Sequence, residues 1–158
     1  MANEAISRIV IVDDDPDDAY MLQRAITNAA ISTEVKILDD GAAFVDFYSS
    51  DHEIDQTQRR QLVLLDINMP ILSGFEALHA LEEMGARRHA PILMFSTSCE
   101  PVDVTRAYEL GVNGYVKKPC TVEEAQRTVV ALNAFWLETN IAIVPRTASD
   151  GHDYPRRF

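Results

Sequence analysis

The chain has 158 residues, 47% of them hydrophobic and 25% charged, with 14 basic against 25 acidic side chains and a formal net charge of −11. That length suits one globular domain with a true core, and the composition is too apolar for a disordered chain. So acidic a balance argues against a nucleic-acid binder, which needs a basic face to replace phosphate counterions, and against an anionic membrane surface as the main partner. Five of the six residues from Asp13 to Asp18 are aspartate, and where so dense an acid run falls in the fold is the first question the sequence raises.

Five short apolar runs alternate with helix-like stretches. Ile9–Val12 reads as a buried strand, followed by a helix over Asp15 to Ala30 with Tyr20, Leu22, Ala25, Ile26 and Ala29 as its apolar face. Val35–Leu38 is a second strand and Asp40 to Tyr48 a second helix. The polar stretch Ser49–Gln61 reads as a surface loop. Leu62–Leu65 is the third strand, and Ser73 to Met84 a helix with Phe75, Leu78 and Leu81 at three-residue steps. Ile92–Phe95 is the fourth strand. The helix from Val102 to Leu110 stops at Gly111. Gly114–Lys117 is the fifth strand, and Thr121 to Glu138 a long final helix.

Strands apolar on both faces and joined by helices predict an α/β fold, a five-stranded parallel sheet, doubly wound. The common order at this length is 2-1-3-4-5, the flavodoxin-like arrangement. Residues 1–138 form the expected domain. Residues 139–158 form a C-terminal arm, too short for an output domain. Cys99 and Cys120 stand in no metal-ligand spacing and offer no disulfide framework. The start lacks the apolar core of a signal peptide, and no run approaches a membrane span, so a cytoplasmic protein is expected.

Ligands of open parallel sheets bind at the carboxyl ends of the strands. Asp13 and Asp14 follow the first strand, Asp66 the third, Ser96 the fourth, and Lys117–Lys118 the fifth, before Pro119. Asp15 suits a helix N-cap, Pro16 the first helical position, and Asp17 and Asp18 the positive end of the helix dipole. That account does not reach Asp13 and Asp14. Two carboxylates ~5 Å apart repel by about 3 kcal/mol at an effective dielectric near 20. Asp13, Asp14 and Asp66 together therefore call for a cation, and hard oxygen ligands at an incomplete site describe Mg²⁺, with Mn²⁺ as the alternative ion.

IVIVDDDPDD, LLDINMP, FSTS and YVKKP, in this order and each at a strand end, resemble the receiver domain of two-component response regulators. The resemblance covers residues 7–138 and implies a single-domain, stand-alone regulator. It makes Asp66 the acceptor of a phosphoryl group from a sensor histidine kinase. It makes Asp13, Asp14, Asp66 and the main-chain carbonyl of Asn68 the metal ligands. Lys118 pairs with a phosphate oxygen, Ser96 hydrogen-bonds the phosphoryl group, and Tyr115 is the switch aromatic that follows Ser96. Pro119 holds a cis bond that aims Lys118, and Asn68 and Met69 tune access of water to the phosphate. The expected chemistry is self-phosphorylation and dephosphorylation on one aspartate, without action on a separate substrate. His52, His79 and His89 read as surface residues.

Three departures stand out. Asp15 occupies a position where many relatives carry Asn, the loop over Ser49–Gln61 is long, and the chain runs on past the fifth helix. That helix carries Val122, Ala125, Val129, Leu132 and Phe135 as its expected core face. It adds Val130, Ala134, Trp136 and Leu137, so it is apolar most of the way round. A homodimer through this helix and the arm is expected, with Phe135, Trp136, Ile141 and Ile143 as its face. FWLETN and DDDPDD further resemble the regulators that serve phytochrome-type or hybrid kinases. Three rivals remain. A haloacid dehalogenase-type phosphohydrolase, the Asp-nucleophile alternative, needs an acid–base Asp where Asn68 stands. A flavodoxin-like flavin binder needs N–H groups where the aspartates stand. The last is a non-phosphorylated receiver-like scaffold.

Overall fold

The computed structural model describes residues 7–49, 60–85 and 90–141. Its elements are β1 (Ser7–Val12), α1 (Pro16–Asn28), β2 (Glu34–Leu38), α2 (Gly41–Ser49), β3 (Arg60–Leu65), α3 (Gly74–Glu83), β4 (Ile92–Ser96), α4 (Pro101–Glu109), β5 (Gly114–Lys117) and α5 (Val122–Leu132), which runs on into a π-helical stretch (Asn133–Thr139). The five strands form one parallel sheet in the order β2-β1-β3-β4-β5. The expected loop over Ser49–Gln61 lies mostly outside the described residues, as do His52, His89 and Ile143.

Side chains alternate across a strand, so each apolar strand feeds two cores. Ile9, Ile11, Leu62, Leu64, Leu93 and Phe95 pack on one face against Ala19, Leu22, Ala25 and Ile26 of α1 and Ala125, Val129 and Leu132 of α5. Val10, Val12, Val63, Leu65 and Met94 face the other way, against α2, α3 and Ala107 of α4. One consequence matters for the site: α1 and α5 pack against each other on the same face.

Local chemistry sets the helix ends. Asp15 caps α1, accepting a hydrogen bond from the Asp17 backbone N–H at 2.9 Å, with Pro16 first in the helix. At α3 the Ser73 hydroxyl accepts from the Glu76 N–H, and the Glu76 carboxylate accepts from the Ser73 N–H. Hydrogen bonding of the Glu76 carboxylate to Ser73, first of all to its backbone N–H, holds that carboxyl below the usual range. Gly111, at φ +77°, takes the left-handed turn that ends α4.

Three expectations about buried faces need correction. Tyr20 is 61% exposed, and Ala19 takes its expected place in the core face of α1. Val122 and Phe135 are 47% and 53% exposed, so they are not core residues of the last helix. The cause at Phe135 is the π-helical stretch. Its wider turn, closed by the Asn140 N–H on the Phe135 carbonyl at 2.7 Å, carries the core position from Leu132 to Leu137, five residues on. Phe135 turns outward, Trp136 is half-buried, and the Leu137 carbonyl accepts from Arg60 Nη1 at 2.8 Å.

Ser73→Ala removes one arm of the α3 cap and should lower stability by about 1 kcal/mol in urea melts. Glu76→Ala should destabilise at neutral pH. Because the folded carboxyl titrates below its unfolded value, that difference is full above the unfolded pKa and fades as pH falls through the folded one.

Candidate functional site

Parallel register places the site acids. Val12 and Leu65 are partners across β1 and β3, so Asp13 and Asp66 leave the sheet side by side. The Asp66 N–H donates to the Val12 carbonyl at 2.9 Å. Asp13 and Asp66 are buried, and Asp14 is exposed at their edge. One carboxylate oxygen from each of Asp13, Asp14 and Asp66 lies within 4.8 Å of the others. On the far side, Ser96 and Lys117 are partners across β4 and β5, and the Lys118 N–H donates to the Ser96 carbonyl at 2.9 Å. All of these residues share the carboxyl rim of the sheet, as the strand-end rule requires.

Lys118 joins the two sides. Its Nζ lies 2.7 Å from Asp13 Oδ2, 2.8 Å from Asp18 Oδ2 and 3.2 Å from Asp66 Oδ2. Burial works to lower the Lys118 pKa, but the bonds to Asp13 and Asp18 and the charges of Asp66 and Asp13 outweigh it, and the ammonium is held charged. Burial pushes the Asp13 carboxyl up, against the pull of Lys118 and the Asp15 N–H. Burial raises Asp66 as well, opposed by Lys118 and by the N–H groups of Ile67 and Asn68. The Ile67 N–H reaches Asp66 Oδ1 at 2.8 Å, so this carboxylate is held at both oxygens.

The loop after β3 is built tightly around Asp66. Gly74 begins α3 so close to the Asp66 carbonyl oxygen that any Cβ there would overlap it, and its N–H donates to the Ile67 carbonyl at 2.9 Å. Ile71, at φ +69° and 93% exposed, closes a three-residue turn in which the Leu72 N–H donates to the Pro70 carbonyl at 2.7 Å. A β-branched residue is strained in that conformation. Asn68 is exposed beside Asp66, and Met69 is buried beneath the loop.

At the end of β4, Ser96 is fully buried, and its hydroxyl oxygen accepts from the Ser98 N–H at 3.2 Å. Half-buried Tyr115 donates its hydroxyl to the Ser98 carbonyl at 2.9 Å, and burial raises its pKa. The Ser98 hydroxyl in turn donates to Asp103 of α4 at 2.6 Å. Ser96 and Tyr115 are thus both tied to one residue of the β4–α4 loop.

The structure departs from sequence reading at two site positions. Pro119 is buried behind Lys118, but no peptide bond among the described residues is cis, so the Lys118–Pro119 bond is trans, the default for X–Pro. Lys118 is aimed here by its partners at Nζ and at its own N–H. The second departure is Asp18, read as a helix-dipole acid and found on Lys118. Its signal was weak, because an acid in the first turn of a helix is already explained locally. Only the packing of α1 on α5 shows that this turn faces the end of β5. His79 is exposed near Glu83, as a surface residue should be.

Three clustered carboxylates, two of them buried, make a hard all-oxygen donor set that fits Mg²⁺ or Mn²⁺. Two of them, Asp13 and Asp66, already hold one cation, the lysine ammonium.

The sequence model of the response regulator receiver domain matches residues 9–130. Response regulator Rcp1 of Synechocystis is 32% identical over 131 residues, spanning 83% of this chain and 89% of that one. The crystal structure of the phosphorylated cyanobacterial phytochrome response regulator RcpA superposes with a TM-score of 0.74 at 28% identity, over 87% of this chain and 99% of that chain. The Mn²⁺-bound form of response regulator Rcp1 superposes with a TM-score of 0.71 at 28% identity, over 87% and 99%.

Removing the ammonium leaves buried like charges unpaired. Lys118→Met should therefore lower stability in EDTA by on the order of 2–3 kcal/mol in urea melts at neutral pH, and added Mg²⁺ should recover more stability in this variant than in the parent.

Proposed function

This chain belongs to the response regulator receiver family, and from that premise we propose that Asp66 accepts a phosphoryl group from a histidine kinase and that the protein signals by the resulting surface change. The carrying observation is the convergence of Asp13, Asp14, Asp66 and Lys118 on one rim, with Ser96 alongside. In the transfer an Asp66 carboxylate oxygen forms a bond to phosphorus as the phosphohistidine P–N bond breaks, giving an acyl phosphate and neutral histidine. Mg²⁺, or Mn²⁺, held by Asp13, Asp14, Asp66 and the Asn68 carbonyl, supplies charge neutralisation for the phosphoryl oxygens. Lys118 supplies a second positive charge, as a point donor. Ser96 offers its hydroxyl proton to a phosphoryl oxygen while its oxygen remains free to accept from the Ser98 N–H, so a turn of Ser96 toward the phosphate draws on the loop that it shares with Tyr115. The face of α4, β5 and α5 reports that shift. Asn68 and Met69 flank the phosphate and set how readily water reaches it. The reaction is a self-modification, with no separate substrate turned over.

The kinase is of the phytochrome type in this reading. The support is the likeness to RcpA and Rcp1 over nearly their whole length. Among the described residues no helix is long and apolar enough to cross a membrane.

A second reading concerns assembly. Val130, Phe135 and Ile141 expose 48%, 53% and 94% of their surface, and Phe135 stacks edge-on with Trp136 at 4.9 Å. This apolar set on α5 and its extension fits a second copy of the chain, with Trp136 and Ile143 as further members of the face.

Incubation with acetyl phosphate and Mg²⁺ should shift the protein on a phosphate-affinity gel, and Asp66→Asn should abolish the shift; a shift that survives in Asp66→Asn defeats the acceptor assignment. Sedimentation equilibrium at tens of micromolar should show a dimer that Phe135→Glu weakens at least tenfold, since a charge at an apolar contact costs well over 1.4 kcal/mol. A monomer with and without a phosphate mimic defeats the dimer.

A further inference from the structure

Asp18 belongs neither to the carboxylate cluster nor to the helix cap, yet its Oδ2 sits 2.8 Å from Lys118 Nζ. An acid in the first turn of α1 has the helix dipole and solvent available to it. Here it is turned toward a buried ammonium, with its side chain one-third exposed. The three donors of Nζ meet three carboxylates, of Asp13, Asp18 and Asp66. Two of these, Asp13 and Asp66, are also members of the cluster that fits a divalent cation. The ammonium and the ion therefore draw on the same pair of carboxylates and repel one another. Asp18 is the one partner of Lys118 that the ion does not need.

We propose that Asp18 is a positioning residue: it holds the Lys118 ammonium against α1, so that Lys118 and a divalent cation can share one acidic site. This rests on the cation reading given under the proposed function. It separates Asp18 from a plain surface acid in a measurable way. A surface acid attracts Mg²⁺ by its charge whether or not Lys118 is present. A residue that acts by holding Lys118 matters only while Lys118 is there.

The test is a double-mutant cycle on the full chain, with the Kd for Mg²⁺ measured by calorimetry and for Mn²⁺ by electron spin resonance. Asp18→Asn should raise both Kd values about fivefold in the Lys118 background and by less than about 1.5-fold in Lys118→Met. Asp18→Glu should restore a Kd near that of the parent. Lys118→Gln is the second neutral background should the methionine variant fold poorly by circular dichroism. An equal effect of Asp18→Asn in both backgrounds overturns the proposal and leaves Asp18 a distant charge. No effect in either overturns it as well. A parent protein that takes up neither ion at about 10 millimolar, roughly tenfold above the weak end of protein cation sites, defeats the cation reading itself, a result distinct from the other two.

Discussion

One ammonium group holds together three carboxylates that would otherwise repel. Lys118 draws Asp13 from the end of β1, Asp66 from the end of β3 and Asp18 from the first turn of α1 into contact across the rim. A buried charge is costly unless it is paired and hydrogen-bonded, and here every donor of the ammonium has an acceptor. The arrangement depends on the fold at each point. The register of β1 on β3 sets Asp13 beside Asp66, the partnering of β4 with β5 sets Lys118 beside Ser96, and the packing of α1 on α5 brings Asp18 within reach. A slip of one residue in any parallel pair would turn these side chains to the opposite faces and scatter the site.

Around that centre the loops are pinned rather than loose. Asp66 is held at one oxygen by the Ile67 N–H, and its own carbonyl is crowded by Gly74. The β4–α4 loop is held through Ser98, which receives Tyr115 at its carbonyl, gives its N–H to Ser96 and its hydroxyl to Asp103. A rim with fixed partners suits a two-state device. A new acceptor for the Ser96 hydroxyl proton leaves its bond from the Ser98 N–H available, so a movement of Ser96 toward that acceptor is transmitted through Ser98 to Tyr115 and Asp103.

Much of this was legible because strand ends in a parallel sheet are chemically exposed to one rim. Asp13, Asp66 and Ser96 each directly follow an unbroken apolar run, with Asp14 one residue on and Lys118 just past the short fifth strand, so their place on one rim could be read from the sequence and strand order. What escaped was whatever local chemistry explained too easily or backbone geometry altered. Asp18 had a sufficient account as a first-turn acid, and nothing in the run DDDPDD distinguishes it from Asp17. Tyr20 fits a helical apolar face by spacing, yet it falls just outside the stripe that α1 presents to the sheet. The trans bond at Pro119 is the default for X–Pro, and only the family resemblance argued for cis. Phe135 was misplaced because a 3.6-residue period was carried into a stretch whose turn is wider.

That wider turn bears on how a signal at Asp66 could reach the exposed apolar residues of the C-terminal stretch. β3 runs from Arg60 to Leu65, and Arg60 holds the Leu137 carbonyl at the opposite end of the sheet from Asp66. Six strand residues span on the order of 20 Å, too far for direct contact between phosphate and the surface around Phe135. One element does bridge the distance. The Thr121 cap of α5 lies three residues after Lys118, and the helix continues without a break through Leu132 into the segment that Arg60 grips. Helix and sheet are packed along this length by Ala125, Val129, Leu132 and Leu137. A shift of the Lys118 loop would therefore bear on the start of α5, while Arg60 holds the far end at Leu137. Where the helix is tethered at both ends, the register of the π-helical stretch is the place at which such a movement can be absorbed or passed on.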